Sequence, residues 1–378
     1  METSEVMPLD ATAKPTEASA TPPHRLEVIG SVMVEPEGCL LRNLITDVPG
    51  IRVGNAGDDK LASGVTVIIF DEPAVAAADL RGGGPGTRES ALLDPAMTVE
   101  RIDAIALAGG SAFGLDAASG LQAFLAEQGR GFVVRSARVP IVPAAILFDL
   151  LNGGDKAWGR YPPYRELGYA AALAAGENFA LGSVGAGLGA ATVNLKGGLG
   201  SASASVRGHI VGALAAVNAA GSVTIGDGPH FWAAPYERDG EFGGRGLPSP
   251  LPPDALSFRS KGMPGESTAL VVIATNAALS KPQVRRLAIM AQDGLARAIR
   301  PVHTPLDGDI VFAAALPARS TRLLADPNAD LAELGAAAAD VVARAIARAV
   351  YEAKALPFPG ALPAWRDRFG GQRNRRAE

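Results

Sequence analysis

A layered α/β fold, sheet inside and helices outside, is predicted by two features of the sequence. Several short runs are apolar on both faces, and amphipathic helical stretches alternate with them. No composition shift divides the 378 residues into two cores, so one large domain is expected over 39–378.

Val65–Phe70 (VTVIIF) and Ile102–Ala108 (IDAIALA) read as buried strands. The second runs into Gly109, Gly110 and Ser111, then a helix over Leu115–Glu127 with Leu115, Leu121, Phe124 and Leu125 on its apolar side. Phe132–Val134 and Ile141–Val142 are expected as short strands, and Tyr164–Ala175 as a helix stopped by Gly176. Gly182–Val206 is dense in glycine, serine and alanine, which suits extended chain packed closely on another layer. Ile210–Val217 is a buried strand ending at Asn218. A polar, proline-rich stretch without periodicity then runs from Gly226 to Glu266, longer than a compact domain normally tolerates between elements. It stops at a core strand, Thr268–Thr275 (TALVVIAT). Helices over Gln283–Ile299, opened by Pro282, and over Leu331–Ala353 flank a strand at Asp309–Leu316.

Composition excludes several functions. Hydrophobic residues at 48% against 20% charged predict a filled core rather than disorder. A net charge of −4 with no Lys/Arg cluster argues against a nucleic-acid partner, and Arg373–Arg376 reads as a solvated end. No stretch approaches the roughly 20 apolar residues that span a bilayer, so no membrane partner is expected. The one cysteine, Cys39, permits no intramolecular disulfide and points to a reducing, cytoplasmic compartment. It sits in an apolar run and reads as buried rather than nucleophilic. His24, His209, His230 and His303 are scattered without metal-ligand spacing, so no metal is expected. Residues 1–38 are polar and Pro/Thr/Ala-rich, lack the pattern of a signal peptide and read as a disordered extension.

Three glycine-rich strings invite a ligand and two are set aside. Arg81-Gly-Gly-Gly-Pro-Gly-Thr-Arg88 lacks the Gly-Lys-Ser/Thr ending of a P-loop and reads as a close-packed turn. Gly185-Ala-Gly-Leu-Gly-Ala190 has no acid about 20 residues on to hold a ribose, so no dinucleotide cofactor is expected. Gly109-Gly-Ser-Ala-Phe-Gly-Leu115, at a strand end before a helix, can line a pocket through Gly110, Ser111 and Phe113. Ser111 is out of register for a nucleophile elbow and reads rather as a helix N-cap than as a nucleophile.

The long connection ending at Ser267-Thr268 carries more chemistry. A threonine freed by cleavage of that segment has an α-amino group with a reference pKa of about 7.7–8.0. That amine can take the hydroxyl proton, so one residue supplies both nucleophile and base without a histidine.

Nine stretches resemble the self-processing N-terminal-nucleophile peptidases: L-aminopeptidase/D-esterases, β-peptidyl aminopeptidases and nylon-oligomer hydrolases. They are Ile45-Thr-Asp-Val-Pro-Gly-Ile-Arg-Val-Gly54, Gly64-Val-Thr-Val67, Gly82-Gly-Gly-Pro-Gly-Thr-Arg-Glu89, Leu107-Ala-Gly-Gly-Ser-Ala-Phe-Gly-Leu-Asp-Ala117 and Val139-Pro-Ile-Val-Pro-Ala-Ala145. Gly182-Ser-Val-Gly-Ala-Gly187, Lys196-Gly-Gly-Leu-Gly-Ser201, Ala274-Thr-Asn-Ala277 and Gly294–Asp309 follow in the family's order. The resemblance implies a four-layer αββα sandwich and self-cleavage into chains 1–267 and 268–378. It also implies a homo-oligomer, a tetramer of processed protomers, for which the Leu331–Ala353 helix is either a contact face or an outer layer. Small peptides or amides with a free amino end are the implied substrates, with no cofactor.

Thr268 is the implied nucleophile. Relatives often carry Asn-Thr-Thr where this chain has Ser267-Thr268-Ala269, leaving Ser267 as a rival; gapless counting back from Ala274 favours Thr268. Asn218 resembles the oxyanion-hole asparagine, Lys196 the active-site lysine, and Asp307 and Asp309 the paired acids. Without the family these four read as turn or loop residues. Phe148 stands where the family has a tyrosine near the substrate; Tyr169 is nearby but does not align. The same fold also supports acetyl transfer of the ornithine acetyltransferase type, and a non-catalytic, unprocessed homologue is the third alternative.

Overall fold

The computed structural model describes residues 41–261, 266–316 and 324–370. The extension 1–38, Cys39 and Arg373–Arg376 lie outside the described residues. Strands β1 (Ile51–Asp58) and β2 (Ser63–Leu80) begin the fold, and β2 decides its architecture. It pairs with β1 over Ser63–Phe70 and with β11 (Ile310–Ala315) over Val75–Leu80. Between these halves its register slips, and Asp71, Glu72 and Pro73 are exposed. Proline cannot donate to a ladder and the two acids prefer water, so the strand bends there and passes from one layer to another. The sequence pattern predicted only the first half; the second, Ala-rich half has no β-branched signature beyond Val75.

Strands β3 (Thr87–Arg88), β4 (Arg101–Ala108) and β7 (Ala144–Ile146) complete the first layer. Strands β8 (Gly198–Val206), β9 (His209–Asn218) and β10 (Thr268–Thr275) complete the second. Hydrogen bonding runs in the order β3-β7-β4-β2-β11-β10-β9-β8, with β1 on β2. Strands β5 (Phe132–Val134) and β6 (Ala137–Val139) form a separate hairpin with exposed side chains. The strand expected at Ile141–Val142 is instead β7, three residues later: β4 already bonds the Ile141 and Pro143 carbonyls, but paired register with it begins at Ala144.

Three apolar cores lie between four layers. Leu270, Val272 and Ala274 of β10 face Phe70, Leu214 and Phe312 in the core between the sheets. Ala269, Val271 and Ile273 alternate to the other side, against Leu287 and Leu295 of α3 (Lys281–Ala298) and Val342 and Ile346 of α4 (Pro327–Tyr351). Val65, Val67 and Ala106 pack against Leu121 and Leu125 of α1 (Ala117–Glu127) and Ala171 of α2 (Tyr164–Leu173). The layer order is helix, sheet, sheet, helix, the αββα sandwich expected.

Helix α4 begins four residues earlier than its periodicity suggested, because the Asp326 carboxylate caps the Asn328 and Ala329 N–H groups. It is an outer-layer helix: Val341–Ala347 in its second half are buried all round, while Ala332 and Ala336 in its first half are exposed. The aperiodic connection covers it. Phe231 and Phe242 join the α3/α4 core and pack with Trp365 of a last short helix, α5 (Trp365–Phe369). Glu241 from the same connection pairs with buried Arg344 and with Arg348 of α4. Such a segment needs no periodicity, because single anchors hold it. Ser111 has a left-handed φ of 53° and its side chain makes no capping hydrogen bond to the following helix, contrary to the N-cap expected.

Candidate active site

β10 lies between β9, antiparallel, and β11, parallel, and its first residue marks one end of the sheet. Thr268 is directly opposite Asn218, the last residue of β9, and Ser267 bridges to Asp307 just before β11. Four of the sequence-predicted residues therefore meet at one sheet end. The buried Thr268 hydroxyl donates to the Ser267 carbonyl oxygen at 2.5 Å. The same oxygen accepts the Gly308 N–H at 2.8 Å. A Cβ on Gly308 would lie 2.8 Å from Thr268 Oγ1 and 2.8 Å from the Gly84 carbonyl, so only glycine fits without a shift of its neighbours. The Gly82–Gly86 turn presses from behind: Gly84 N–H donates to the Asp307 carbonyl at 2.8 Å. Its glycines serve close packing, as expected.

Asn218 uses its whole amide. Nδ2 donates to the carbonyls of Phe148 at 2.9 Å and Glu266 at 3.1 Å. Oδ1 accepts from Ala191 N–H at 3.0 Å and from Lys261 Nζ at 2.9 Å. Lys261 went unnoticed in the sequence because it is one cation in an aperiodic segment. Burial pushes its ammonium down to about 7, against the pull of Asp307, Glu266 and Asp149.

The acids are tied to backbone. Asp309 Oδ1 accepts Ala269 N–H at 2.7 Å, fixing the residue after Thr268, and Oδ2 accepts His303 Nδ1 at 2.9 Å. His303 was read from sequence only as a scattered histidine; the Arg300–Asp309 turn folds it back. Asp307 accepts from Thr304 Oγ1 at 2.7 Å and from Ala220 N–H at 3.2 Å. Burial, then the Asp309 carboxylate, pushes its carboxyl above the ordinary range. Neither acid hydrogen-bonds the Thr268 side chain in the uncut chain. Lys196 is buried in the same wall, but Nζ donates to the carbonyls of Gly187, Ala190 and Gly197 at 3.0, 2.7 and 2.8 Å. Burial lowers it to about 7, while three acceptors suit an ammonium with three N–H bonds.

Beside Asn218 opens a cavity of about 350 Å³. Phe148, Leu151, Leu356 and Leu362 give it apolar walls; Asn218, Lys261, Lys196, Asp149 and Glu266 give it a polar end. Phe148 lines it, whereas Gly110, Ser111 and Phe113 are not among its lining residues. Gly110 reaches it only through Asp149, whose Oδ1 accepts the Gly110 N–H at 2.7 Å. Phe113 is half exposed and packs edge-on against Trp158. Tyr169 is outside the lining too and bonds Glu127.

Among the described residues no helix is long and apolar enough to cross a membrane. An aminopeptidase of Mycobacterium bovis, itself uncharacterized, is 46% identical over 356 residues, covering 87% of this chain and 98% of that protein. A 6-aminohexanoate-oligomer endohydrolase of Kocuria sp. is 27% identical over 71% of this chain and 73% of that protein. Among solved structures, the L-aminopeptidase D-Ala-esterase/amidase of Ochrobactrum anthropi, an Ntn-hydrolase fold variant, superposes with a TM-score of 0.63 at 20% identity. That superposition spans 87% of this chain and 94% of that one. The model of peptidase family S58 matches residues 43–361, which include every residue of the Thr268 cluster, and the chain belongs to that family.

Proposed function

We propose that the chain cuts itself between Ser267 and Thr268 and then hydrolyses small peptides or amides through an acyl-enzyme on Thr268. The observation that carries this is the Thr268 hydroxyl held 2.5 Å from the Ser267 carbonyl oxygen, which also accepts the Gly308 N–H. In the first phase Oγ1 attacks the Ser267 carbonyl carbon, with Gly308 N–H bonding the oxygen as it gains charge. The Oγ1–C bond forms, the C–N bond to Thr268 breaks, and the hydroxyl proton ends on the new α-amine. Water then hydrolyses the ester, leaving a Ser267 carboxylate and a free Thr268 hydroxyl. In the second phase the α-amine takes the Oγ1 proton as Oγ1 attacks a substrate amide. Departure of the Glu266 carbonyl leaves one Asn218 N–H for the oxyanion, while the other stays on Phe148. The leaving amine takes the proton, and water releases the acyl group. Asp309 holds the strand start through Ala269, and Asp307 lies beside the turn that would face the new ammonium.

Ser267 is the weaker nucleophile. Its Oγ is buried with no hydrogen-bond partner among the described residues, whereas the Thr268 hydroxyl is already held on the carbonyl it would attack. The relatives' names bring two substrate classes to this chain, aminopeptidase substrates and 6-aminohexanoate oligomers. The cavity's apolar walls suit a small acyl group of either kind. From the family resemblance we infer a tetramer of processed protomers, which light scattering measures, and from the sequence a cytoplasmic location. Intact mass spectrometry of wild type beside Thr268→Ala tests the central step. The expected result is two chains, the smaller beginning at Thr268, and a variant that stays whole. A whole wild-type chain, or a Thr268→Ala chain that still splits, would overturn it.

A further inference from the structure

We propose that Lys261 is a positioning residue of the active centre, its ammonium locking the Asn218 amide so that both Nδ2 hydrogens face carbonyl oxygens. The proposal rests on the Thr268 chemistry above and adds a component from the segment upstream of the scissile bond.

A side-chain amide has two donor hydrogens and two acceptor lone pairs. Asn218 has all four engaged, and each partner is of one kind only. The Lys261 ammonium and Ala191 N–H can only donate, and the carbonyls of Phe148 and Glu266 can only accept. Turning the amide over would set donors against donors and carbonyls against a carbonyl. Lys261 is the charged member, and a charge-assisted bond on Oδ1 polarises the amide and strengthens its N–H donors. Its anchorage is independent of the scissile bond. Lys261 N–H donates to the Ala220 carbonyl at 3.0 Å, and Nζ also bonds the Ala191 carbonyl. Residues 262–267 separate it from the proposed cut, so the Glu266 carbonyl can leave Asn218 while Lys261 stays.

The charged groups facing Lys261 come from every neighbouring element. They are Asp307 before β11, Glu266 before β10, Asp149 after β7 and, repelling it, Lys196 before β8. Burial lowers its ammonium to about 7, so the lock weakens as pH rises through neutrality. Lys196 shifts the same way, and only replacement of Lys261 separates the two.

The experiment compares wild type, Lys261→Met, Lys261→Arg, Asn218→Ala and Asn218→Ala/Lys261→Met as full chains. Chain cleavage is followed by intact mass and turnover on an alanine p-nitroanilide across pH. Lys261→Met is expected to lower kcat on the order of tenfold with little change in KM, less than the about 10²–10³-fold for an oxyanion donor itself. Because Lys261 acts through Asn218, the double variant is expected to be no slower than Asn218→Ala. Lys261→Arg keeps a charged donor that does not titrate, so it retains turnover and loses the alkaline limb of kcat. Wild-type kcat in a folded Lys261→Met overturns the proposal, and so does additivity in the double variant. If Lys261→Met does not fold, an alkaline limb persisting unchanged in active Lys261→Arg overturns it. A wild type that neither splits nor turns over sinks the Thr268 chemistry itself, a result distinct from either.

Discussion

Gly308→Ala tests whether the Thr268 hydroxyl is the attacking group, because it touches that hydroxyl without removing it. Gly308 is not among the residues with positive φ, so alanine meets no backbone strain there. Its Cβ would instead sit 2.8 Å from Thr268 Oγ1, 2.8 Å from the Gly84 carbonyl and 3.3 Å from Pro85 Cα. The two closest neighbours must each retreat by roughly 0.6 Å to reach ordinary contact. Gly84 is held, since its N–H donates to the Asp307 carbonyl. The hydroxyl, at the end of a side chain, turns away most readily, and forcing back the held Gly84 carbonyl is what costs stability. Overpacking of this kind costs about 1–3 kcal/mol, which a domain of this size survives. Misplacing a reacting atom by about 1 Å costs about 10²-fold in rate, so self-cleavage is expected to slow on the order of 10- to 100-fold. Freshly translated chain sampled over time by intact mass gives the rate, and a thermal melt confirms that the variant folds. Cleavage of folded Gly308→Ala at the wild-type rate would refute the placement of Thr268 Oγ1 as the attacking atom.

Three further outcomes are expected. Asn218→Ala in processed enzyme lowers kcat by about 10²–10³-fold, measured on a small aminoacyl amide, and a loss confined to KM contradicts the oxyanion role. Burial lowers Lys196 and Lys261 from 10.5 to about 7 in the folded chain, so the unfolded chain binds more protons between those values. Stability of uncut Thr268→Ala therefore rises with pH across that window, by up to about 1.4 kcal/mol per pH unit for each lysine. Denaturant melts should show a shallower rise after adding Lys261→Met, and equal slopes would exclude Lys261 as a contributor. Glu241→Ala strands buried Arg344 and should destabilise the chain by about 3–5 kcal/mol, read as a lower urea midpoint; an unchanged midpoint would mean that the connection does not clamp α4.

Much of this site is visible in the sequence for a local reason. A strand apolar on both faces that starts abruptly after an aperiodic segment places Thr268 at a strand head, and β10 begins at that residue. The end of the Ile210–Val217 run places Asn218, and Asp-Gly-Asp before another apolar run places Asp307 and Asp309. Periodicity and turn residues are properties of neighbours in the chain, and they survive without tertiary information. The pairing of Thr268 with Asn218 was legible only through family resemblance, since strand register is a contact across some 50 residues.

The remainder was decided by long-range packing. Asp71-Glu72-Pro73 reads as a strand end in isolation, yet β2 continues past it because β11 supplies a second partner. An alanine-rich helix can face water or protein equally well; the second half of α4 is buried because Phe231, Phe242 and Glu241 fold over it. Gly110, Ser111 and Phe113 form a motif in sequence, but the chain turns them away from the cavity lining and sends Phe148 there instead. Lys261 and His303 carry no signal of their own. Their partners are an amide oxygen and a carboxylate brought near by loop closure, and a hydrogen bond depends on where atoms meet in space, which residue types and spacing do not encode.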